Sequence, residues 1–104
     1  MREQKTITLG ENKVTVYEMT PKEIVHILPV LKDVFTKNLT EEELINVLID
    51  RYDNLKAVLI NCTSLKEEIL DVGLSYLIPV IKAFVEVNRA FFVEAKEKLV
   101  GAKG

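Results

Sequence analysis

The spacing of the apolar residues changes once along this chain, near residue 20, and that change limits the folds open to it. Before it, polar and apolar residues alternate in two runs, Thr6–Leu9 and Lys13–Tyr17, which are separated by a Gly-Glu-Asn sequence. Alternation in β-branched residues around such a turn is typical of a β-hairpin. Beyond it, apolar residues recur at spacings of three and four, as in an amphipathic helix. The sequence therefore predicts a hairpin followed by a helical body.

The predicted hairpin has one apolar face and one threonine face. The apolar face holds Ile7, Leu9, Val14 and Val16, and the other holds Thr6, Thr8 and Thr15. An isolated two-stranded hairpin is only marginally stable in water. We therefore expect this one either to pack on the helical body or to pair an open edge with another chain.

Three capping-box sequences predict helix starts at Thr20–Glu23, Thr40–Glu43 and Ser64–Glu67. The apolar stripes expected to face the core are Ile24, Ile27, Leu28, Leu31, Val34 and Phe35 in the first helix, and Leu44, Val47 and Leu48 in the second. Pro29 predicts a kink or break near Ile27 and Leu28. A turn is expected within the polar stretch at residues 50–54.

The segment from Ser75 to about Val100 is predicted to form one long helix, roughly 39 Å at 1.5 Å per residue. One apolar stripe holds Leu77, Ile81, Phe84, Asn88, Phe91, Ala95 and Leu99, and a second holds Tyr76, Val80, Ala83, Val87 and Ala90. Only Lys82, Glu86 and Arg89 form a polar line, with Glu86 and Arg89 spaced to pair. A helix this apolar needs cover on several sides.

Together these patterns predict a mainly α (α+β) fold. We expect one domain over residues 1–104: a hairpin at 1–19, a helical body at 20–100 and a flexible tail at 101–104. The body is predicted to be a compact bundle of four to five helices with a long C-terminal helix. The composition, 48% apolar and 29% charged, is that of a folded protein.

Charge and composition exclude several classes of function. The formal net charge is −2 with no basic block, so the sequence disfavours nucleic acid as a partner. No apolar run approaches the roughly 18 residues of a membrane span. The single cysteine, Cys62, cannot form an internal disulfide, and no apolar segment of a secretion signal follows the first residues. We therefore expect a cytoplasmic protein.

Residues suited to catalysis are few. His26 has no further His or Cys ligand near it, and Cys62 lies among apolar neighbours. Asp50 and Asp53 would share a helix face, but nothing beside them completes a catalytic group. We therefore predict no enzyme activity, no cofactor and no metal site. The alternative, a small ligand- or metal-binding enzyme, predicts a pocket containing His26 or the aspartate pair.

Asn88 lies on the apolar stripe, where an unpaired amide costs about 1–3 kcal/mol. It either bonds to a neighbouring helix end or loop, fixing how the bundle closes, or marks a partner-binding groove. The adjacent Phe91 and Phe92 diverge by 100° on a helix, so one can enter the core while the other faces outward.

The layout and one short motif resemble a known family. A hairpin at Thr6–Tyr17 runs into Met19–Glu23 and a helical body, and the chain closes with Leu77–Phe92, which contains the sequence Val-Asn-Arg-Ala-Phe-Phe. This arrangement resembles the tail assembly chaperones of long-tailed bacteriophages and prophages.

The resemblance implies a non-enzymatic chaperone in the bacterial host cytoplasm. It would bind the tape measure protein, a long helix-rich chain, while the tail tube assembles, with the tail tube protein as a further partner. Asn88, Phe91 and Phe92 are the motif positions carried over, and the full set of predicted partner-binding residues is Tyr76, Val80, Phe84, Asn88, Phe91 and Phe92. A homo-oligomer and a structural or adaptor component of a prophage tail are the open alternatives.

Overall fold

The computed structural model describes residues 2–64 and 73–94. In chain order these form strands β1 (Gln4–Leu9) and β2 (Asn12–Tyr17), helix α1 (Pro21–Leu31), a 3-10 helix (Val34–Thr36), and helices α2 (Glu41–Asp50), α3 (Tyr52–Asn61) and α4 (Leu74–Val87). Residues 89–94, here called the C-terminal segment, are also helical. The predicted α+β fold, a hairpin followed by a helical body, is confirmed.

The hairpin has the predicted faces, and its strands pair in antiparallel register. Ile7 lies opposite Val14, and Thr6 lies opposite Thr15 with 3.1 Å between their hydroxyl oxygens. Gly10 begins the two-residue loop with a φ of +63°, which favours glycine, and a Cβ there would lie 3.0 Å from the Tyr76 hydroxyl oxygen. The loop therefore needs glycine for both its backbone conformation and its closeness to α4.

The hairpin packs on the helical body, as one of the two alternatives predicted. Both strands contact α4, and the outer edge of β2 pairs with the chain that follows α3. The Tyr17 N–H donates to the Cys62 carbonyl at 2.7 Å, and the Ser64 N–H donates to the Thr15 carbonyl at 3.0 Å. The Ser64 hydroxyl accepts from the Thr15 N–H at 3.0 Å. This edge of the hairpin is therefore closed by the protein itself.

Two of the three predicted helix starts are confirmed. Thr40 and Glu43 form a reciprocal capping box, with bonds of 3.0 and 3.1 Å. At α1, the Thr20 N–H and hydroxyl both donate to Glu23 Oε1, at 3.0 and 2.6 Å. Burial alone would raise the pKa of Glu23, but these bonds outweigh it and lower the pKa. Most of the third predicted helix start, Ser64–Glu67, lies outside the described residues.

Of the kink or break predicted near Ile27 and Leu28, the break is wrong, because α1 runs without interruption to Leu31. Val25 and Pro29 are both exposed, so water can bond to the Val25 carbonyl that receives no N–H from the proline. The prediction that Leu28 faces the core is also wrong. It is 37% exposed, since the buried side of α1 follows Ile27 and Leu31.

The buried face of α2 is shifted from its prediction by one residue. Ile45 and Leu48 are buried, whereas Leu44 and Val47 are only half-buried. The helix contacts both α3 and α4, and this position turns Ile45 toward the core. Adjacent helical residues differ by 100°, so Leu44 and Ile45 face different directions and only one of them can point into the core.

Helix α4 is the longest helix among the described residues, as predicted, but the helix expected to run unbroken from Ser75 is interrupted. Helix α4 ends at Val87, a turn lies at Asn88, and helical structure resumes at residue 89. Residues 95–104, with Ala95, Leu99 and the predicted tail, lie outside the described residues. Lys82, Glu86 and Arg89 are exposed as predicted, but Glu86 pairs with Lys5 and Arg89 with Glu41 instead of with each other.

Arg51, at the predicted turn between α2 and α3, links three segments. Its guanidinium binds both carboxylate oxygens of Asp33 at 2.7 and 2.8 Å and the Val30 carbonyl at 2.8 Å. The hydrogen bonds from Arg51 lower the pKa of Asp33 from 3.8 to about 2. The end of α1 is therefore held to the α2–α3 junction by a charged, two-point contact.

We expect Asp33→Asn to make the stability of the fold less dependent on pH between pH 4 and pH 2. The native pKa of Asp33 lies below its unfolded value, so its stabilising effect is complete above about pH 4 and is lost as the pH falls toward 2. The variant should melt at a lower temperature than wild type at pH 7 and lose less between pH 4 and pH 2. Thermal unfolding followed by circular dichroism across this range measures both effects.

The matched control is Asp53→Asn, which removes an exposed carboxylate from the first turn of α3. At pH 7 it should lower the melting temperature less than Asp33→Asn does, because no ion pair joins this carboxylate to another side chain within residues 2–64 and 73–94. Parallel profiles for wild type and Asp33→Asn would contradict the role given to the Arg51 contact.

Candidate functional site

The predicted partner-binding residues do not form one exposed surface. Val80, Phe84 and Asn88 are at most 1% exposed, so their assignment as surface contacts is corrected: they belong to the core. Phe92 is also buried, while Tyr76 and Phe91 are half-buried. The sequence predicted the apolar face of α4, but in the folded chain the hairpin and α2 cover much of that face.

Asn88 takes the internal role that the sequence left open. Its Oδ1 accepts from the Met19 N–H at 2.8 Å, and its Nδ2 donates to the Phe84 carbonyl at 2.9 Å. Its own carbonyl accepts from the Phe92 N–H at 3.1 Å, in the first turn of the C-terminal segment. This residue therefore ties the link between β2 and α1 to the bend that follows α4.

An aromatic cluster lies beside this bend. Phe92 contacts Phe84, Phe35 and Phe91 with ring centroids 6.4, 6.2 and 5.2 Å apart. The Phe91 ring meets the Phe35 ring edge-on at 5.8 Å. The two adjacent phenylalanines thus share Phe35, and neither points wholly to solvent.

Next to the aromatic cluster is an open apolar cleft of about 260 Å³. It lies between α4 with the C-terminal segment on one side and the chain from the 3-10 helix to α2 on the other. Its lining residues are Val34, Phe35, Lys37, Leu39, Thr40, Glu41, Leu44, Val85, Arg89, Phe92 and Val93. Val93 is 50% exposed. Here "apolar cleft" means this set of residues, whose charged members are Lys37, Glu41 and Arg89.

The apolar cleft includes residues that the sequence analysis missed, among them Leu39, Leu44 and Val93. A local signal could have found two of them. Thr40 is the N-cap of α2, so Leu39 and Leu44 occupy the positions of a hydrophobic staple, which holds the chain entering a helix against its first turns. Val93 follows Val85 and Arg89 at spacings of four, so helical periodicity places it on the same side as those two cleft residues.

The residues considered for catalysis are not brought together. His26 is exposed on α1, and Asp50 and Asp53 are exposed on two different helices, α2 and α3. None of the three lines the apolar cleft. Within residues 2–64 and 73–94, no three His, Cys, Asp or Glu side chains are placed to hold a metal ion. The prediction that Asp50 and Asp53 share one helix face is therefore wrong, because the chain turns between them at Arg51.

Cys62 is fully buried at the end of α3. Burial raises the pKa of its thiol to about 11, so almost none of it is ionised at neutral pH.

Among the described helices, none is both long and apolar enough to cross a membrane.

We expect the Cys62 thiol to be protected in the folded protein. At pH 8 its reaction with a disulfide reagent should be at least about 100-fold slower than in guanidinium chloride, because both burial and the raised pKa suppress the thiolate. Absorbance of the released chromophore gives both rates. Reaction at the unfolded rate under native conditions would contradict a core role.

Asn88→Ala should destabilise the fold by about 2–4 kcal/mol, since it removes the buried acceptor for the Met19 N–H and leaves a small cavity. Denaturant unfolding measures this loss. Asn46→Ala, at an exposed position of α2, is the control and should change stability by less than about 0.5 kcal/mol. Equal effects of the two substitutions would refute the structural role of the Asn88 amide.

Comparison of this chain with protein-family models, with curated proteins and with solved structures found no match. The geometry of the site and the resemblance seen in the sequence are therefore the two grounds on which a function is proposed.

Proposed function

We propose that this chain is a non-enzymatic tail assembly chaperone of a long-tailed phage or prophage. It binds the tape measure protein in the cytoplasm of the bacterial host and keeps it competent for tail tube assembly. Two features support the proposal. One is the hairpin-plus-helices layout with the Val-Asn-Arg-Ala-Phe-Phe motif, and the other is the apolar cleft beside that motif.

The apolar cleft is the observation that carries the proposal. Its lining is mostly aliphatic and aromatic, with the charged side chains of Lys37, Glu41 and Arg89 among them. Burying one Leu- or Phe-sized side chain of a partner there would contribute about 1.5–3 kcal/mol. Such a cleft favours apolar side chains from a chain that would otherwise aggregate.

The size of the cleft also favours a protein partner over a small substrate. Its volume of about 260 Å³ lies below the roughly 300–1,000 Å³ of pockets that enclose small ligands. An open site of this size accepts one or two anchor side chains and leaves the rest of the partner outside. Binding of this kind is reversible, as the release of a client during assembly requires.

Val93→Asp should weaken association with the tape measure protein of the same phage at least about tenfold, because it places a charge beside the apolar cleft. Val25→Asp is the matched control. It introduces the same charge at a valine of α1 that is 68% exposed and does not line the cleft. Co-expression followed by pull-down measures association, and the soluble fraction of the tape measure protein measures chaperone activity.

Wild type and Val25→Asp should both retain the tape measure protein and keep it in solution. Failure of wild type to bind it or to improve its solubility would overturn the proposal. Presence of the chain in purified finished tails would instead favour a structural component.

A further inference from the structure

The outer edge of β1 is open in the part of the chain that the structure describes. Along an antiparallel strand, the N–H and C=O groups of alternate residues point toward and away from the neighbouring strand. On β2, Thr15 and Tyr17 point theirs away from β1 and bond to the chain after α3. Their partners across the hairpin, Thr6 and Gln4, therefore point theirs outward at the opposite edge, and Thr8 follows by alternation. Within residues 2–64 and 73–94 these outward groups have no hydrogen-bond partner.

This edge also lacks the features that usually prevent strand pairing. Exposed edges in soluble proteins are commonly protected by outward charges, proline or a bulge. The outward-pointing residues of β1, Gln4, Thr6 and Thr8, are exposed and neutral, and the pairing with β2 is regular. The one charged residue of the strand, Lys5, lies on the α4 face of the sheet and pairs with Glu86. The edge is therefore suited to accept another strand.

A second copy of β1 matches this edge in one register. When two β1 strands run antiparallel about Thr6, this residue faces itself, and Gln4 faces Thr8 of the second copy. Each such pair exchanges both backbone hydrogen bonds, so every outward group of the strand is used. Moving the register toward Lys5 would place two lysines opposite each other and leave Thr8 without a partner in β1. Moving it toward Ile7 would leave Gln4 unpaired.

The side chains fit the same register on both faces of the sheet. The Thr6 hydroxyl lies 3.1 Å from that of Thr15, and a facing Thr6 would extend this row, since threonine pairs stabilise sheets. On the other face, Lys5 lies opposite Ile7 of the second copy, which is half-buried in each chain. The aliphatic stem of Lys5 can cover this isoleucine while its ammonium stays with Glu86.

Pre-organisation favours a second copy over an extended segment of another protein. In each copy β1 is already held as a strand by β2 and by α4. Pairing two such strands orders no further backbone, whereas an unstructured segment would lose conformational entropy at every residue that joined the sheet. The strand that meets this edge at the lowest cost is therefore its own copy.

We propose that this chain forms a two-fold dimer in which the β1 strands of two copies pair antiparallel about Thr6, giving a four-stranded sheet. The inference is independent of the proposed function, because no residue of β1 lines the apolar cleft. The contact is smaller than the roughly 1,600 Å² of a standard interface, so we expect a Kd of about 1–100 µM. Sedimentation equilibrium should show the 11.8 kDa monomer converting to a dimer over this range.

Charges placed at the two-fold axis test the register. Thr6→Lys and Thr6→Glu should each raise the Kd at least about tenfold, because each places like charges directly opposite each other. An equimolar mixture of the two variants should recover association, since lysine then faces glutamate. Thr8→Glu is the matched control. It lies on the same exposed edge but faces the neutral Gln4 of the second copy, so its Kd should stay within about threefold of wild type.

A cysteine at the same position gives a second readout. Thr6→Cys should form a disulfide-linked dimer on mild oxidation, because facing hydrogen-bonded residues have Cα atoms about 5.5 Å apart. Thr8→Cys is the control and should not link to itself, since the two Thr8 positions lie at opposite ends of the paired strands. The native Cys62 is fully buried and does not compete. Non-reducing electrophoresis measures the linked fraction, and circular dichroism verifies that each variant is folded.

Three outcomes would overturn the inference. One is a wild-type chain that stays monomeric up to about 1 mM. Another is a dimer that persists in both Thr6 charge variants, which would place the interface elsewhere. The third is a monomer that binds the tape measure protein through this edge and loses it in Thr6→Lys, which would assign the edge to a client strand. A dimer with these properties beside no association with the tape measure protein would overturn the proposed function alone.

Discussion

The architecture depends on one buried amide. Asn88 has no exposed surface, and it uses both ends of its side chain to join the Met19 N–H to the Phe84 carbonyl. Leaving such a group unpaired inside a protein is costly, so the amide allows few other arrangements of the segments that it joins. Because the C-terminal segment begins immediately after it, the same contact sets the direction in which Arg89, Phe92 and Val93 approach α2.

The bend at Asn88 also decides where apolar surface remains. The hairpin and α2 cover α4, so Val80, Ile81 and Phe84 serve the core and not a partner. What remains open lies beside the turn at Asn88, in the apolar cleft. The apolar character of the C-terminal region therefore has two uses. Most of it stabilises the fold, and a smaller part near the start of α2 stays open, where the proposed function places the client.

The features that the sequence predicted are the local ones. Strand alternation and capping boxes involve residues a few positions apart, so the hairpin and the starts of α1 and α2 could be predicted. The end of α4 could not, because it depends on a bond from Asn88 to Met19, which lies 69 residues away. The same limit applies to the site: an apolar stripe shows that Phe84 is covered, but not which element covers it.

Under the proposed function, a small docking surface and a long client are compatible because weak contacts can be repeated. The exposed Glu41–Arg89 pair and the open cleft favour binding with fast release, which alone would protect little of a long chain. A helix-rich client, however, presents many amphipathic segments. Several copies of this small protein can then occupy one client, each held by the same few apolar and charged contacts. On this proposal, coverage of the client would come from the number of copies bound, and each copy would remain easy to remove as assembly proceeds.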